Sequence, residues 1–336
     1  MTQAQNYTKK DFESGLDVRW CPGCGDYAIL AQVQTVLASL PHKREDYLFV
    51  SGIGCSSRFP YYMNTSGFHT THGRAPAIAS GARLTNPNLS VWLVTGDGDG
   101  LSIGGNHMLH ILRRNVDVNV LLFDNRIYGL TKGQYSPTST EGTVTKSSPY
   151  GSIDHPVDPV AFALGAGASF IARTSDRDLP HLRETLKAAD AHRGTSFVHI
   201  MQNCIVFNDA VWENYTEKEI RSDHIVYAKP GEPLVFGKQA DRIMVLDQDM
   251  RPVAATLGQE PTGTSVLQHD SRNKSKAWML AQMDGVRAPM PMGVLYEESR
   301  PVYETEMLKQ ESDMLAEKGP GDLKSLFYTN DTWEIK

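Results

Sequence analysis

The sequence predicts an α/β fold built on a doubly wound, mostly parallel sheet. Two observations predict it: apolar runs of strand length recur between about residues 25 and 203, and amphipathic helical patterns separate them. Glycines bound most of these runs, as is typical of strands that end in loops. Strands that alternate with helices pair in parallel, and such a sheet presents its ligand-binding loops at the carboxyl ends of the strands.

The predicted elements follow one another in a regular order. Residues 25–40, GDYAILAQVQTVLASL, have the apolar spacing of a helix, and Pro41 ends it. The same two patterns predict the later strands and helices, which are YLFVSG (47–52), RAPAIASGARL (74–84), VWLVTG (91–96), IGGNHMLHILRRN (103–115), VNVLLFD (118–124), DPVAFALGAGA (158–168), SFIART (169–174), SDRDLPHLRETLKAADAH (175–192) and TSFVHIMQN (195–203). Residues 126–156 are rich in Gly, Ser, Thr and Pro, and a connection of that length is either a functional loop or a disordered one.

The regular pattern weakens after Asn208. We therefore predict an α/β domain over residues 1–208 and an irregular C-terminal extension over residues 209–336. Residues 297–336 contain ten acidic and five basic side chains with little periodicity. That composition favours an extension that packs on the domain and on partner subunits over an independent core.

Composition excludes several classes of protein. The chain of 336 residues has 33 Lys and Arg against 39 Asp and Glu, a formal net charge of −6, which predicts no basic surface for nucleic acid. No window approaches the roughly 20 apolar residues of a membrane span, and the polar first residues do not resemble a signal peptide. We expect a cytoplasmic protein that does not bind membranes.

The stretch VTGDGDG, residues 94–100, follows a predicted strand and opens onto a helix. Its glycines allow backbone N–H groups to approach a phosphate, and Asp97 offers a carboxylate to a cation. A calcium loop is disfavoured because its twelfth position would be Met108, where a glutamate is needed. A dinucleotide fingerprint is disfavoured because Leu101 stands where a glycine is needed. A glycine turn with a solvated aspartate remains the simpler alternative.

Asn125 stands at the carboxyl end of the next predicted strand. If the two strands are adjacent and parallel, Asn125 lies beside Asp97. A carboxylate, an amide oxygen and a backbone carbonyl from Arg126 or Ile127 are hard ligands of the kind that Mg²⁺ prefers when it also binds phosphates.

The chain has four cysteines, and two of them form the Cys-x-x-Cys pair of WCPGCGD, residues 20–26. Cys21 and Cys24 open the first helix, and Cys55 and Cys204 each follow a strand, so all four can gather at one edge of the sheet. Such a pair can be a redox disulfide, half of a zinc site or half of an iron–sulfur site. Four thiolates suit zinc as well as a cluster, and buried unligated thiols are a further alternative.

Two longer strings give a specific resemblance. GDGDGLSIGGNHMLHILRRN and DNRIYGLTKGQYSPTS resemble the β subunits of 2-oxoacid:ferredoxin oxidoreductases, most closely those that act on 2-oxoglutarate. GDG, a helix and a strand that ends in Asn is similar to the magnesium–thiamine diphosphate motif of thiamine enzymes. Many of those enzymes have Asn-Asn where this chain has Asp124 and Asn125. The resemblance covers about residues 20–208 and implies a sheet of the thiamine-diphosphate-binding type.

The resemblance also implies roles for particular residues. Asp97, Asn125 and the carbonyl of Ile127 would bind Mg²⁺. Thiamine diphosphate would be bound by these three together with Gly54, Cys55, Ser56, His72, Gly96, Gly98 and Asp99. The catalytic candidates are His72, Arg74 and Lys132, with Arg58 as a further cation for a substrate carboxylate. The [4Fe–4S] ligands would be Cys21, Cys24, Cys55 and Cys204.

By the same resemblance, the enzyme would decarboxylate 2-oxoglutarate oxidatively to succinyl-CoA, or catalyse the reverse. Coenzyme A would take the acyl group, and the electrons would pass through the cluster to ferredoxin. The glutamate that activates thiamine would come from an α subunit in an (αβ)₂ assembly. Another 2-oxoacid, a thiamine enzyme without redox chemistry and a zinc-stabilised binding subunit remain the alternatives.

Overall fold

The computed structural model describes residues 6–330 and 332–335. Its first long element is a helix, two short parallel strands follow, and helices then alternate with strands up to residue 201. The strands are β1 Tyr47–Ser51, β2 Ser66–His69, β3 Ser90–Gly96, β4 Asn119–Asp124, β5 Phe170–Ser175, β6 Ser196–Met201, β7 Ile225–Tyr227, β8 Val235–Phe236, β9 Arg242–Leu246, β10 Pro252–Thr256, β11 Ser265–Val266 and β12 Met290–Glu297. The helices are α1 Gly25–Leu37, α2 Ala75–Thr85, α3 Gly105–Arg114, α4 Pro159–Gly165, α5 Leu179–Ala191, α6 Glu213–Thr216, α7 Lys274–Ala281, α8 Tyr303–Lys318 and α9 Leu323–Phe327.

The main sheet has eight strands in the order β2-β1-β3-β4-β6-β5-β12-β7. Strands β1 to β6 are parallel, β12 runs antiparallel to β5, and β7 is parallel to β12. Every residue of β1, β4, β5 and β6 is buried, as expected for parallel strands that are covered on both faces. The predicted mostly parallel sheet is confirmed.

Helices cover both faces of the sheet, which makes it doubly wound. On one face, Ile29 and Val33 of α1 pack with Phe49 of β1 and Phe123 of β4. On the other face, α2, α3 and α4 pack against the alternate residues of the same strands, such as Val50 and Leu122. In the part of the chain that the structure describes, no helix has the length and the hydropathy to cross a membrane.

The segment after residue 208 is more regular than the sequence predicted. It adds β12 and β7 to the main sheet and forms a second sheet from β8 to β11. Leu234 and Met244 belong to the same apolar cluster as Leu122, so this segment packs on the rest of the chain. The sequence did not predict its strands because several have only two to five residues, too few for a periodic pattern. The domain boundary at residue 208 stays a prediction.

A buried arginine fixes the start of α8. Arg83 of α2 donates to Glu304 Oε1 at 2.7 Å and to Asp117 Oδ2 at 2.6 Å, and it also donates to the carbonyl of Leu89. The side chains of Arg83 and Glu304 are 6% and 2% exposed. Most of the helix beyond Glu304 is exposed, so these contacts anchor α8 to the domain.

We predict that Arg83→Met lowers the free energy of unfolding by about 3–5 kcal/mol, because it leaves the Glu304 carboxylate buried without a cation. Urea unfolding measures the loss, and limited proteolysis should cut α8 earlier in the variant. Arg113→Met, on the exposed side of α3, is the control and should unfold as the wild type does. Equal stabilities for the two variants would show that the ion pairs are incidental.

Candidate cofactor and cysteine site

Four parallel strands end side by side at one edge of the main sheet, and the predicted motifs follow them there. A pocket of about 400 Å³ lies at this edge. The structure brings together around it every residue that was predicted to bind the cofactor, namely Gly54, Cys55, Ser56, His72, Gly96, Asp97, Gly98, Asp99, Asn125 and Ile127. Arg58, Tyr61, His69, Tyr128, Gly129, Leu130 and Thr131 also line it.

Asp97 is buried at the end of β3 and is held through one of its two carboxylate oxygens. Oδ2 accepts hydrogen bonds from Ser136 Oγ at 2.5 Å and Thr138 Oγ1 at 2.6 Å. Burial and the neighbouring carboxylate of Asp124 raise the pKa of Asp97 to about 7. The side chain therefore has a fixed direction before any cation binds.

Asn125 is fixed by a local turn at the end of β4. Its Oδ1 accepts from the backbone N–H of Ile127 at 3.1 Å, the pattern of an Asx turn. Between them Arg126 has a positive φ of 56°, a conformation that few residues other than glycine adopt. The Nδ2 of Asn125 donates to Gln202 Oε1 at 2.9 Å. Asn125 and Ile127 thus face the pocket in one compact turn.

The carboxylate of Asp99 links the end of β3 to the loop before α2. Its Oδ1 accepts from the N–H of Gly73 at 2.7 Å, and its Oδ2 accepts from Thr95 Oγ1 at 2.8 Å. A Cβ at Gly52 would lie 1.7 Å from Oδ2, so only glycine fits there. Burial raises the pKa of Asp99. This aspartate lines the pocket, but its carboxylate is occupied by backbone and hydroxyl donors.

Gly98 packs its backbone directly on an aromatic ring. A Cβ at Gly98 would lie 2.2 Å from the ring of Tyr128, whose hydroxyl donates to the Gly98 carbonyl at 2.9 Å. Gly54, which also lines the pocket, has a positive φ of 98°, a conformation that favours glycine. At these two positions backbone rather than side chain therefore lines the pocket, as a bound diphosphate would need.

The three catalytic candidates lie in different places. His72 is exposed and lines the pocket. Arg74 is exposed at the start of α2 and does not line it. Lys132, with a positive φ of 73°, is exposed and lines a second cavity beside the first. Only His72 of the three therefore reaches the pocket.

The second cavity, of about 260 Å³, is lined by all four cysteines. Cys21 is exposed, the other three are partly buried, and all four are free thiols. The turn between Cys21 and Cys24 is closed by a backbone hydrogen bond of 3.0 Å, and Gly23 in it has a φ of 83°. In the described ranges, no three His, Cys, Asp or Glu side chains meet the geometry of a site for a metal ion. The cysteines instead surround a cavity.

Burial changes the protonation of the groups around this cavity. It raises the pKa of the Cys55 thiol to about 12 and raises that of Cys24 further. Asp26 lines the cavity with both carboxylate oxygens buried and without a hydrogen-bond partner, and burial raises its pKa to about 7. Burial thus favours the protonated thiols of Cys24 and Cys55, and a metal group would have to displace those protons.

The two cavities share a wall. The residues that line both are Cys55, Arg58, Asn125, Gly129 and Leu130. A Cβ at Gly129 would lie 3.4 Å from the Sγ of Cys204 and 3.6 Å from the Sγ of Cys55. The pocket of the glycine motif and the cysteine cavity are therefore immediate neighbours.

Several residues of this site were missed from the sequence. Tyr128, Ser136 and Thr138 lie in the Gly-, Ser- and Thr-rich loop, whose composition indicated a functional loop but not which hydroxyls face inward. His199 lies within the apolar strand β6 and Gln202 directly follows it, and their polar side chains were the available signal. His199 Nε2 lies 2.8 Å from Asp124 Oδ2, at the position where many thiamine enzymes have asparagine.

Comparison with known proteins defines the class to which this site belongs. Residues 52–200 match the family model of the thiamine pyrophosphate enzyme, C-terminal TPP binding domain. That range runs from the end of β1 to β6 and contains the pocket's glycine motif and Asn125. The chain therefore contains a thiamine-diphosphate-binding domain of the thiamine enzymes.

Individual relatives are more specific. The chain is 47% identical to the 2-oxoglutarate oxidoreductase subunit KorB of Mycobacterium tuberculosis over 99% of this chain and 90% of the relative. It is 41% identical to the 2-oxoglutarate synthase subunit KorB of Archaeoglobus fulgidus over 55% of this chain and 69% of the relative. It resembles a chain of the 2-oxoglutarate:ferredoxin oxidoreductase of Magnetococcus marinus, solved with 2-oxoglutarate, coenzyme A and succinyl-CoA bound, with a TM-score of 0.78, 32% identity and 98% of each chain covered. The chain belongs to the family of 2-oxoacid:ferredoxin oxidoreductase β subunits, and the predicted family is confirmed.

We predict that Gly98→Ala weakens the binding of thiamine diphosphate in Mg²⁺, because the new methyl group displaces Tyr128 from the pocket wall. Overpacking of this kind costs about 1–3 kcal/mol, so the dissociation constant should rise by about tenfold or more. Quenching of intrinsic fluorescence on titration with the cofactor measures it. Gly105→Ala is the control because a Cβ there meets nothing within 4 Å. Unchanged affinity in Gly98→Ala would contradict the close fit.

Proposed function

We propose that this chain is the thiamine-binding β subunit of a cytoplasmic 2-oxoglutarate:ferredoxin oxidoreductase. The reaction converts 2-oxoglutarate, coenzyme A and two oxidised ferredoxins into succinyl-CoA, CO₂, a proton and two reduced ferredoxins, or runs in reverse. The observation that carries the proposal is the shared wall between the pocket and the cysteine cavity. A group that takes electrons one at a time can accept the electrons released by decarboxylation on thiamine, whereas a structural zinc ion cannot.

The donor set in the pocket suits Mg²⁺ bound with a diphosphate. The ligands in our proposal are the Asp97 carboxylate, the Asn125 amide oxygen and the carbonyl of Ile127. Two hydroxyls hold Asp97 Oδ2, which leaves Oδ1 for the metal. When bound, thiamine diphosphate supplies the electron sink for decarboxylation. The chain's own part is to fix the metal, line the pocket with backbone at Gly54 and Gly98, and separate it from the cysteine cavity by a thin wall.

The four cysteines suit a [4Fe–4S] cluster. Cys21, Cys24, Cys55 and Cys204 line one cavity without forming disulfides, and thiolates are the usual ligands of such clusters. Cys21 is exposed and the other three are partly buried, so the cluster would lie between the cofactor and the surface of the chain. That position suits the transfer of electrons to ferredoxin.

The pocket offers candidate ligands for the diphosphate end of the cofactor, but one group that thiamine needs is not among its lining residues. Activation of thiamine needs a glutamate on its pyrimidine ring. Among the described residues that line the pocket, the acidic side chains are Asp97 and Asp99, and none is a glutamate. We propose that an α subunit supplies it in an (αβ)₂ assembly, consistent with the resemblance to β subunits.

The substrate carboxylates need cations near the pocket. Arg58 and His72 line it and are the candidates with the best position. Lys132 lies at the cysteine cavity, and Arg74 lies outside both cavities; they are the further candidates that the family resemblance supplies.

The substrate can be identified on the anaerobic complex with the α subunit. We expect 2-oxoglutarate to bleach the cluster and produce its EPR signal, faster with coenzyme A, while pyruvate and a branched 2-oxoacid do so far more slowly. The chain without its α partner should show no steady turnover. Reduction by another oxoacid alone would change the substrate, and no reduction by any, with cofactor occupancy verified, would refute the redox function.

Metal analysis separates a cluster from zinc. We expect about four iron and four sulfide per chain after anaerobic purification, without stoichiometric zinc. Cys204→Ala should lose most of this iron because one thiolate ligand is gone. Val206→Ala, which changes an apolar residue of the same cavity, should keep it. Stoichiometric zinc in the wild type would refute the cluster.

A further inference from the structure

One buried side chain touches both halves of the site. Gln202 follows β6 directly and is 1% exposed. Its Oε1 accepts from Asn125 Nδ2 at 2.9 Å, and its Nε2 donates to the Cys24 Sγ at 3.3 Å and to the Asn203 carbonyl at 2.6 Å. Its carboxamide thus joins a candidate magnesium ligand to a candidate cluster ligand.

The direction of these hydrogen bonds follows from the backbone. The N–H of Ile127 can only donate, so Asn125 turns its oxygen toward it and its NH₂ toward Gln202. Gln202 must then present its oxygen to Asn125. Its NH₂ group is left facing Cys24 Sγ and the carbonyl of Asn203, which are both acceptors. The carboxamide is fully satisfied in this orientation and in no other.

We propose that Gln202 is a positioning residue that orients Asn125 toward the magnesium ion and raises the reduction potential of the cluster through its N–H···S hydrogen bond to Cys24. This inference rests on the proposed function, since it needs both the metal and the cluster. It adds a role for a residue that neither the motif nor the cysteine pattern contains.

Each half of the role has a physical reason. Reduction adds negative charge to a cluster and its thiolates, so a hydrogen-bond donor to sulfur stabilises the reduced form more than the oxidised form. Loss of the donor therefore makes the cluster harder to reduce. On the other side, residues that hydrogen-bond a metal ligand fix its orientation, and their loss typically costs about 10–100-fold in metal affinity or activity.

Two variants separate the two halves. Gln202→Met keeps the length of the side chain but loses the bonds to both Asn125 and Cys24. Gln202→Glu keeps an oxygen that accepts from Asn125 but loses the donor to Cys24 and adds negative charge. Gln34→Met is the matched control: Gln34 is 3% exposed, donates to two backbone carbonyls and lines neither cavity.

The experiment uses the anaerobic α–β complex, with iron and sulfide measured first. EPR-monitored redox titration gives the midpoint potential, and fluorescence titration with thiamine diphosphate at graded Mg²⁺ gives the metal affinity. We expect a lower midpoint potential in both Gln202 variants, and an affinity for Mg²⁺ about 10–100-fold weaker in Gln202→Met but close to wild type in Gln202→Glu. Gln34→Met should match the wild type in both measurements.

The experiment distinguishes a failure of this inference from a failure of the proposed function. A wild type without iron and sulfide refutes the cluster itself, and this inference with it. A wild type with a cluster and Gln202 variants with unchanged midpoint potentials refutes only the role of Gln202. If both Gln202 variants lose the cluster while Gln34→Met keeps it, Gln202 serves to retain the cluster, and the tuning role is wrong.

Discussion

The parallel register of β1, β3, β4 and β6 is the constraint on which the site depends. Gly96 at the end of β3 pairs with Phe123 of β4, and Asp124 pairs with Met201 of β6. Asp97, Asn125 and Gln202 follow the ends of these strands and therefore emerge at one edge of the sheet, with Asn125 level with Gln202 and one residue beyond Asp97. A slip of one residue would turn every side chain of a strand to the opposite face and separate these groups. Buried apolar residues on both faces hold the strands in that register.

A hydrogen-bonded chain across three strands reinforces the end of β4. Arg173 Nε of β5 donates to His199 Nδ1 of β6 at 3.1 Å, which leaves the proton of a neutral imidazole on Nε2. That N–H donates to Asp124 Oδ2, and Thr138 Oγ1 lies 2.8 Å from Asp124 Oδ1. His199 and the nearby cationic Arg126 hold the pKa of Asp124 below its usual value, while burial lowers that of His199. Asp124 is thus a structural anion rather than a metal ligand.

The elements that could be predicted from the sequence are those with long and uninterrupted apolar patterns. The strands of the parallel sheet were predictable because each is a continuous apolar run bounded by glycine or polar residues. The pocket was predictable because its residues directly follow those strands. The cysteines could be placed at the same edge for the same reason, since Cys55 and Cys204 also follow strands.

What the sequence did not reveal depends on contacts between distant residues. Strand β12 joins the main sheet antiparallel to β5 across more than a hundred residues, and no local pattern encodes that pairing. The place of Arg74 depends on where α2 begins, which directs its side chain away from the pocket lining. The role of Gln202 could not be predicted for a related reason. A glutamine after a strand is ordinary, and only the fold brings it within reach of both Asn125 and Cys24.

The wall between the two cavities explains why glycine stands at position 129. Any side chain there would point at the Sγ atoms of Cys55 and Cys204, in the space that a cluster would fill. The same residue lines the pocket on the other side, so its small size also keeps the two sites close. Tyr128, one residue earlier, packs on Gly98 and fixes the loop in place. The loop after β4 thus serves three purposes with consecutive residues: Ile127 closes the turn at the pocket, Tyr128 packs on the glycine motif, and Gly129 leaves room for the cysteine side chains.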